Sequence, residues 1–147
     1  MVQITVRDVY PASVAELWSE LSRLERHVYW MHDALAIEFA SEQRRGVGTT
    51  FTCRTRVGPL VTRDVMRVVE WREGAAIAVE HRGLVRGRGR FTLIGDTHQV
   101  ELTWHERLDF PWWALGPIGA LAAAPILRRL WRANLATLGR RLEHLAT

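Results

Sequence analysis

Residues 117–145 read PIGALAAAPILRRLWRANLATLGRRLEHL. From the tryptophan onward, apolar side chains recur alternately every four and every three positions, which is the spacing of one face of an α-helix. That face consists of Trp131, Leu135, Leu138, Leu142 and Leu145. The opposite side carries Arg129, Arg132, Arg140 and Glu143. The pattern predicts one long helix whose leucine-rich face must be buried against another element.

The partner of this helix is predicted to be a sheet, because most of the chain upstream alternates apolar and polar residues as half-buried strands do. The predicted strands span residues 2–7, 35–39, 49–57, 60–71, 75–82, 86–94 and 99–108. After the first strand, the capping box Ser13-Val14-Ala15-Glu16 predicts a helix, and a second short helix follows through Leu24 and His27. The order β-αα-β6-α predicts an α+β fold, with a curved seven-stranded antiparallel sheet around the C-terminal helix.

The composition suits a single domain over residues 1–147, since the chain has 147 residues and no low-complexity run. Cys53 is its one cysteine, which excludes a disulfide framework and a multi-cysteine metal site within the chain. The opening residues alternate apolar and polar side chains and lack the apolar core of a signal peptide. These features predict a cytoplasmic location.

The charge pattern indicates an ordinary solvated surface. All twenty basic residues are arginines, mixed along the chain with sixteen acidic residues, and the absence of lysine excludes Schiff-base chemistry on a lysine side chain. Residues 86–93, RGRGRFTL, have the composition of an RNA-binding segment, but their alternation predicts a strand. Its arginines point to solvent, while its glycines face the helix and leave room for the helix backbone or a ligand. No nucleic-acid partner is predicted.

The last predicted strand places a carboxylate on its apolar face. Glu106 shares that face with Val100, Leu102 and Trp104. A buried carboxylate is a candidate acid, base or ligand anchor, because burial perturbs its ionisation. The alternative is that Glu106 is paired with an arginine or tied to the backbone.

A second cluster of aromatic and ionisable residues lies at a junction between helix and strand, in the segment His27-Val28-Tyr29-Trp30-Met31-His32-Asp33. Such junctions often form the rims of pockets. The alternative interpretation, equally compatible with the sequence, is that Trp30 fills the core and that His32 or Asp33 caps a turn. The sequence leaves both interpretations open.

An uncharged stretch, residues 110–127, leads into the helix and includes its first turns. Three prolines and a length below the ~20 residues of a membrane span argue against a transmembrane helix and favour a lid at a cavity mouth. Pro125 is expected to kink the helix or to end its first segment. Trp112 and Trp113, with the nearby arginines Arg128, Arg129 and Arg132, suit a transient contact with a membrane surface.

Several of these motifs, in this order, resemble the START-like helix-grip superfamily (SRPBCC), in particular its bacterial polyketide cyclase/dehydrase and lipid-transport branch. The motifs are residues 11–18 (PASVAELW), 46–49 (GVGT), 68–71 (VVEW) and 103–106 (TWHE), together with Asn134, Leu135 and Leu138. The resemblance covers essentially the whole chain. It implies an apolar cavity between the sheet and the long helix, which different members use to bind hydrophobic molecules or, in a few cases, to catalyse cyclisation or dehydration.

Strand alternation and the helical stripe predict which side chains line that cavity. The predicted ligand-binding residues are Trp30, Phe51, Met66, His81, Phe91, Trp104, Glu106, Asn134 and Leu138. Asn134 lies at the edge of the buried arc of the helix, where its amide needs a partner, either a ligand or the backbone. For each apolar member of the set, plain core filling is the competing explanation.

Two functional hypotheses follow. In the first, the chain binds or carries a hydrophobic small molecule such as a lipid or polyketide, as a monomer or a homodimer. In the second, it is a polyketide cyclase or dehydratase that uses Glu106, His81 or His32 as acid and base. No metal site is predicted, because neither His27 and His32 nor His98 and His105 have a spacing that brings two ligands to one face. No cofactor is predicted either.

Overall fold

A computed structural model describes residues 1–111 and 116–147 of the chain. Within them the elements are, in order, β1 (Val2–Tyr10), α1 (Val14–Leu21), a 3-10 helix (Leu24–Tyr29), β2 (Ala34–Phe39), β3 (Thr50–Val57), β4 (Leu60–Arg72), β5 (Ala76–Arg82), β6 (Arg86–Gly95), β7 (Val100–Asp109) and α2 (Gly116–Ala146). The predicted order of strands and helices is confirmed.

The described strands form a single curved antiparallel sheet in the order β1-β7-β6-β5-β4-β3-β2. Strands β2 to β7 pair with their neighbours in sequence, as short turns allow. Strand β1 pairs instead with β7, from Val2 opposite Leu108 to Tyr10 opposite Val100. Neighbouring strands run in opposite directions, so the turns β3–β4 and β5–β6 lie at the end of the sheet where β7 finishes. Helix α2, which follows β7, begins at this same end.

Helix α1 begins at the predicted capping box. The Glu16 N–H donates to Ser13 Oγ (3.0 Å), and the Ser13 N–H donates to Glu16 Oε1 (3.4 Å). Its buried side chains include Leu17, Trp18 and Leu21. The Val14 N–H donates to the Asp96 carbonyl (3.0 Å), which fixes the start of the helix beside the β6–β7 turn.

Helix α2 lies across the inner face of the sheet and buries Trp131, Leu135, Leu138 and Leu142. Leu145, predicted to belong to the same stripe, is 53% exposed, because the burial of the helix ends before its last turn. The helix also continues without interruption through Pro125. Of the two alternatives expected for Pro125, an end to the first segment is therefore wrong, and a kink stays a prediction. None of the helices in the described ranges has the length and apolar character needed to cross a membrane.

Candidate functional site

A cavity of about 300 Å³ lies between the sheet and α2. Its walls are mainly apolar side chains from β3 to β7, closed on the helix side by Ala123, Leu127 and Trp131. Six residues that the sequence predicts to bind a ligand line it: Phe51, Met66, His81, Phe91, Trp104 and Glu106. The alternation of apolar and polar residues thus predicts which face of each of these strands points inward.

Three other predicted ligand-binding residues do not line the cavity. Trp30 is 1% exposed and packs behind the wall, with its ring edge-on to Phe91 and Trp104 at 6.0 and 6.2 Å between centroids. Leu138 is fully buried in the core, two turns of α2 beyond Trp131. Both residues belong to the solid core. The sequence could not separate them from residues of the cavity wall, because burial alone does not distinguish the two kinds of position.

The third, Asn134, joins α2 to the loop that precedes β2. Its Oδ1 accepts from the His32 N–H (2.9 Å), and its Nδ2 donates to Asp33 Oδ1 (2.7 Å). The buried amide therefore has protein partners on both sides, and its role in this structure is to position the loop.

His32, a predicted acid–base candidate, also lies away from the cavity. Its ring is exposed, with Nε2 2.8 Å from Thr137 Oγ1 on the outer side of α2. A general acid or base must reach the reacting group, so His32 is excluded from that role in this cavity.

The other two acid–base candidates are in contact with each other. His81 on β5 donates from Nε2 to Glu106 Oε2 on β7 (2.8 Å), and the Trp104 Nε1–H donates to Glu106 Oε1 (3.0 Å). Both carboxylate oxygens of Glu106 are thus satisfied, by a histidine and a tryptophan rather than by the arginine or the backbone that the sequence leaves open. The other ring nitrogen of His81, Nδ1, makes no hydrogen bond within the described part of the chain.

The pair forms across an intervening strand, and Gly89 on β6 makes this possible. In the sheet, Gly89 is opposite Glu106, and the neighbouring inward glycine, Gly87, is opposite His81. A Cβ on Gly89 would lie 2.3 Å from Glu106 Oε1 and 2.7 Å from its Cδ. The glycine thus provides the space in which the carboxylate reaches the imidazole, whereas the sequence predicts that this space admits the helix backbone or a ligand.

The contact with Glu106 controls the charge of His81. Burial alone would lower the pKa of His81, but the charge and hydrogen bond of Glu106 and the charge of Asp64 outweigh it and raise the pKa above its ordinary value of 6.5. His27, which also lines the cavity, behaves in the opposite way. Its complete burial lowers its pKa, so its ring is neutral and donates from Nε2 to the Leu21 carbonyl (2.7 Å).

Two further acidic side chains line the cavity, Asp33 and Asp64. Asp33 belongs to the segment predicted as a pocket rim or a turn cap, whereas Asp64 is not among the predicted ligand-binding residues. For Asp64 the signal is present, since it lies on β4 two residues before the inward-facing Met66 and therefore on the same face. Its Oδ2 accepts from the Thr62 hydroxyl (3.1 Å). Its Oδ1 is buried and has no hydrogen-bond partner among the residues described.

The cavity reaches the surface at the end of the sheet where α2 begins. Leu60, in the wall at the β3–β4 turn, is 59% exposed, and Val57, Val85 and Phe110 nearby are half-buried. This is the end at which the sequence predicts a lid. The predicted membrane-contact residues Trp112 and Trp113 fall in residues 112–115, outside the described part of the chain.

Other reactive chemistry in the wall is limited. Burial raises the pKa of the Cys53 thiol to about 11, so its nucleophilic thiolate is scarce at neutral pH. Over residues 1–111 and 116–147, no three histidine, cysteine, aspartate or glutamate side chains are grouped so as to hold a metal ion. The site therefore offers the paired His81 and Glu106, with the carboxyl side chains of Asp33 and Asp64, in mainly apolar surroundings.

Comparison with known proteins gives matches in structure alone. No protein-family model and no curated protein match the sequence. The aromatase/cyclase Zhui from Streptomyces sp. R1128 is similar with a TM-score of 0.81 at 15% identity, over 99% of this chain and 96% of that chain. A START superfamily protein from Mycobacterium smegmatis is similar with a TM-score of 0.75 at 14% identity, over 97% of this chain and 98% of that chain. A protein from Thermus thermophilus gives 0.78 at 12% identity, over 99% of this chain and 100% of that chain. The likeness extends over the full architecture, and the chain has the START-like helix-grip fold.

Proposed function

We propose that this chain binds a small, largely apolar molecule in the cavity between the sheet and α2. The observation that carries the proposal is the cavity itself, about 300 Å³ of space with an apolar wall and a few convergent polar groups. Ligand sites in proteins have this character and begin at about this volume. The shared fold supports the proposal, because the similar structures include a START superfamily protein and an aromatase/cyclase.

The experiment fills the cavity from the helix side. Ala123 lines it, whereas the adjacent Ala122 is exposed on the same helix. Ala123→Trp should abolish the fluorescence enhancement of prodan, an uncharged naphthalene dye, and remove any co-purified small molecule from native mass spectra. Ala122→Trp adds the same ring outside the cavity and should behave as the wild type. Equal dye binding by the two variants would place the site elsewhere, and no binding by the wild type would contradict the proposal.

A second candidate function is favoured by the contact between His81 and Glu106. A protonated histidine held in an apolar cavity can donate a proton to a developing enolate or alkoxide, while the carboxylate keeps the ring charged and oriented. The reaction class is cyclisation or dehydration of a poly-β-ketone. Turnover of a poly-β-ketone analogue should fall on Glu106→Gln and on His81→Asn, and unchanged turnover in both variants would eliminate this function.

For the cellular setting, we propose that the chain acts in the cytoplasm and meets membranes only transiently. The location rests on the single cysteine, Cys53. The membrane contact rests on the uncharged residues 110–127, with Trp112 and Trp113, and on the nearby arginines. Flotation with anionic liposomes tests it. The wild type should float in part, the double variant Trp112→Ser/Trp113→Ser should not, and equal flotation of both proteins would rule out a contact through these residues.

A further inference from the structure

We infer that the outer face of the sheet docks an acidic segment of a partner protein, a stretch of chain rich in aspartate and glutamate. The outer face is the convex side of the curved sheet, formed by the strand side chains that point away from α2. A partner bound there leaves the cavity free, because the cavity lies on the opposite side of the same strands.

The fold separates charges that the sequence mixes. Strand alternation and the register place eleven of the twenty arginines on the outer face, together with five of the sixteen acidic residues. Eleven arginines against five acidic residues leave this face with an excess of six positive charges. The rest of the chain has nine arginines and eleven acidic residues, so it is slightly negative. Positive charge concentrated on one side of a protein attracts anionic partners.

Six of these arginines form three pairs that lie directly opposite each other on neighbouring strands. The pairs are Arg54 with Arg63, Arg82 with Arg86, and Arg88 with Arg107. All six side chains are exposed. Like charges directly opposite in a sheet destabilise it, because their Cβ atoms lie only about 5 Å apart. Proteins retain such costs mainly where a function requires them, and an anion held between two guanidinium groups removes the repulsion.

The acidic residues of the outer face do not neutralise it. Glu70 is paired with Arg72 at 2.8 Å and with Arg90 at 2.7 Å, and Glu80 is paired with Arg82 at 2.8 Å. Several arginines are left without an ion pair to any carboxylate of the described residues, namely Arg54, Arg67, Arg86 and Arg107. The planar guanidinium group binds a carboxylate through two parallel hydrogen bonds, so this face matches the side chains of aspartate and glutamate.

The composition and shape of the outer face favour an acidic polypeptide over a nucleic acid. The phenylalanine, tyrosine and tryptophan side chains of the strands all belong to the hydrophobic core or pack against it. The outer face therefore offers none of these rings for stacking on the bases of a single strand. A nucleic-acid duplex is stiff at this scale and meets a convex face along a narrow line. A flexible polypeptide follows the curvature instead.

The width of the charged area sets the length of the partner segment. Arg54 lies on β3 and Arg107 on β7, four strand spacings apart in the sheet. At about 4.8 Å for each spacing, this distance is roughly 20 Å. An extended segment of about six residues spans it. The expected partner therefore presents an acidic segment of at least this length.

The test measures binding of a fluorescein-labelled poly-L-glutamate peptide by fluorescence anisotropy. The wild type should bind it, with an affinity that falls as the salt concentration rises, because salt screens attraction between exposed charges. A labelled single-stranded oligonucleotide with the same number of charges should bind more weakly than the peptide.

Two double variants with the same change of charge locate the binding surface. Arg54→Gln/Arg107→Gln removes two outer-face arginines that have no acidic residue opposite them. It should weaken peptide binding about 10-fold, as expected for the loss of two exposed ion pairs. The control Arg23→Gln/Arg140→Gln changes two exposed arginines outside the sheet and should bind within about twofold of the wild type. The melting temperature of peptide-free Arg54→Gln/Arg107→Gln should not fall, since the variant loses like-charge neighbours.

Several results would overturn the assignment of this face. They are equal weakening in the two double variants, an unchanged affinity in Arg54→Gln/Arg107→Gln, a lower melting temperature of that variant, and no binding of the peptide. Tighter binding of the oligonucleotide would assign the face to nucleic acid instead, and a loss of liposome flotation in Arg54→Gln/Arg107→Gln would assign it to membranes. Prodan binding should be the same in both double variants as in the wild type, so that failure of the docking surface leaves the proposed cavity function standing.

Discussion

Gly89 determines whether His81 and Glu106 can meet. Its absent side chain leaves the space that the Glu106 carboxylate occupies, and a Cβ there would lie 2.3 Å from Oε1. We therefore expect Gly89→Ala to destabilise the protein by about 1–3 kcal/mol, the usual cost of adding a methyl group to a well-packed interior. Urea denaturation followed by far-UV circular dichroism measures the change.

The control for this prediction removes the group that the new methyl would strike. In the background of Glu106→Ala the carboxylate is gone, so Gly89→Ala should cost less free energy there than in the wild type. Strictly additive effects of the two substitutions would show that the glycine is required for another reason, such as its backbone conformation.

The His81 and Glu106 pair also predicts how stability depends on pH. The folded-state pKa of His81 is raised, mainly because Glu106 outweighs the effect of burial. Its contribution to stability is therefore complete below the unfolded-state pKa of about 6.5 and is lost as the pH rises through the folded-state value. The stability difference between the wild type and Glu106→Gln should be largest between about pH 5 and 6.5 and should shrink at higher pH.

His27 acts in the opposite direction and must be separated from this effect. Because burial lowers its pKa, the unfolded chain binds more protons than the folded one near pH 6, and stability falls as the pH falls. That effect is common to the wild type and Glu106→Gln and cancels in their difference. NMR titration of the His81 ring should show a lower pKa in Glu106→Gln, and an identical pKa in both proteins would contradict the assignment.

At the scale of elements, Asn134 joins α2 to the loop that precedes β2. Asn134→Ala would leave the His32 N–H without its acceptor and Asp33 Oδ1 without its donor. We expect a loss of about 1–3 kcal/mol, the range found when a buried hydrogen-bonding group is left unpaired. Thr137→Ala, which removes an exposed contact between the same helix and His32, should cost less than about 0.5 kcal/mol. Comparable losses in chemical denaturation of the two variants would contradict this assignment.

Periodicity predicts the elements and their faces, because both follow from local geometry. The alternation in β6 and β7 correctly places Gly89 and Glu106 on the inner face, and the helical spacing correctly places Trp131 to Leu142 against the sheet. Leu145 has the same spacing but is 53% exposed, since periodicity does not say where the partner surface ends.

The partners of the site residues could not be predicted in the same way, because they depend on the register between strands. Alternation places His81 and Glu106 on the inner face, but only the pairing of both strands with β6 brings the two side chains within 2.8 Å. Similarly, nothing local distinguishes Trp30, which fills the core, from Trp104, which lines the cavity. That distinction depends on where packing is left incomplete.

At the scale of the whole molecule, the cavity reduces the stability that the same chain could otherwise reach. Packing around an empty space forfeits contacts between side chains, and the buried Asp64 oxygen adds an unpaired polar group. Proteins retain such costs mainly where a site requires them. A ligand bound in the cavity should therefore stabilise this fold, because it restores contacts with the side chains of the wall.

The size of that stabilisation follows from mass action. A ligand present at 100 times its dissociation constant, and bound by the folded state alone, adds about 2.7 kcal/mol to the free energy of unfolding. For a domain of this length, that corresponds to a rise in melting temperature of roughly 5–10 °C. Differential scanning calorimetry with prodan should show this rise for the wild type and for Ala122→Trp, and none for Ala123→Trp, whose new ring occupies the cavity. An equal rise for all three proteins would mean that the ligand stabilises the fold from a site outside the cavity.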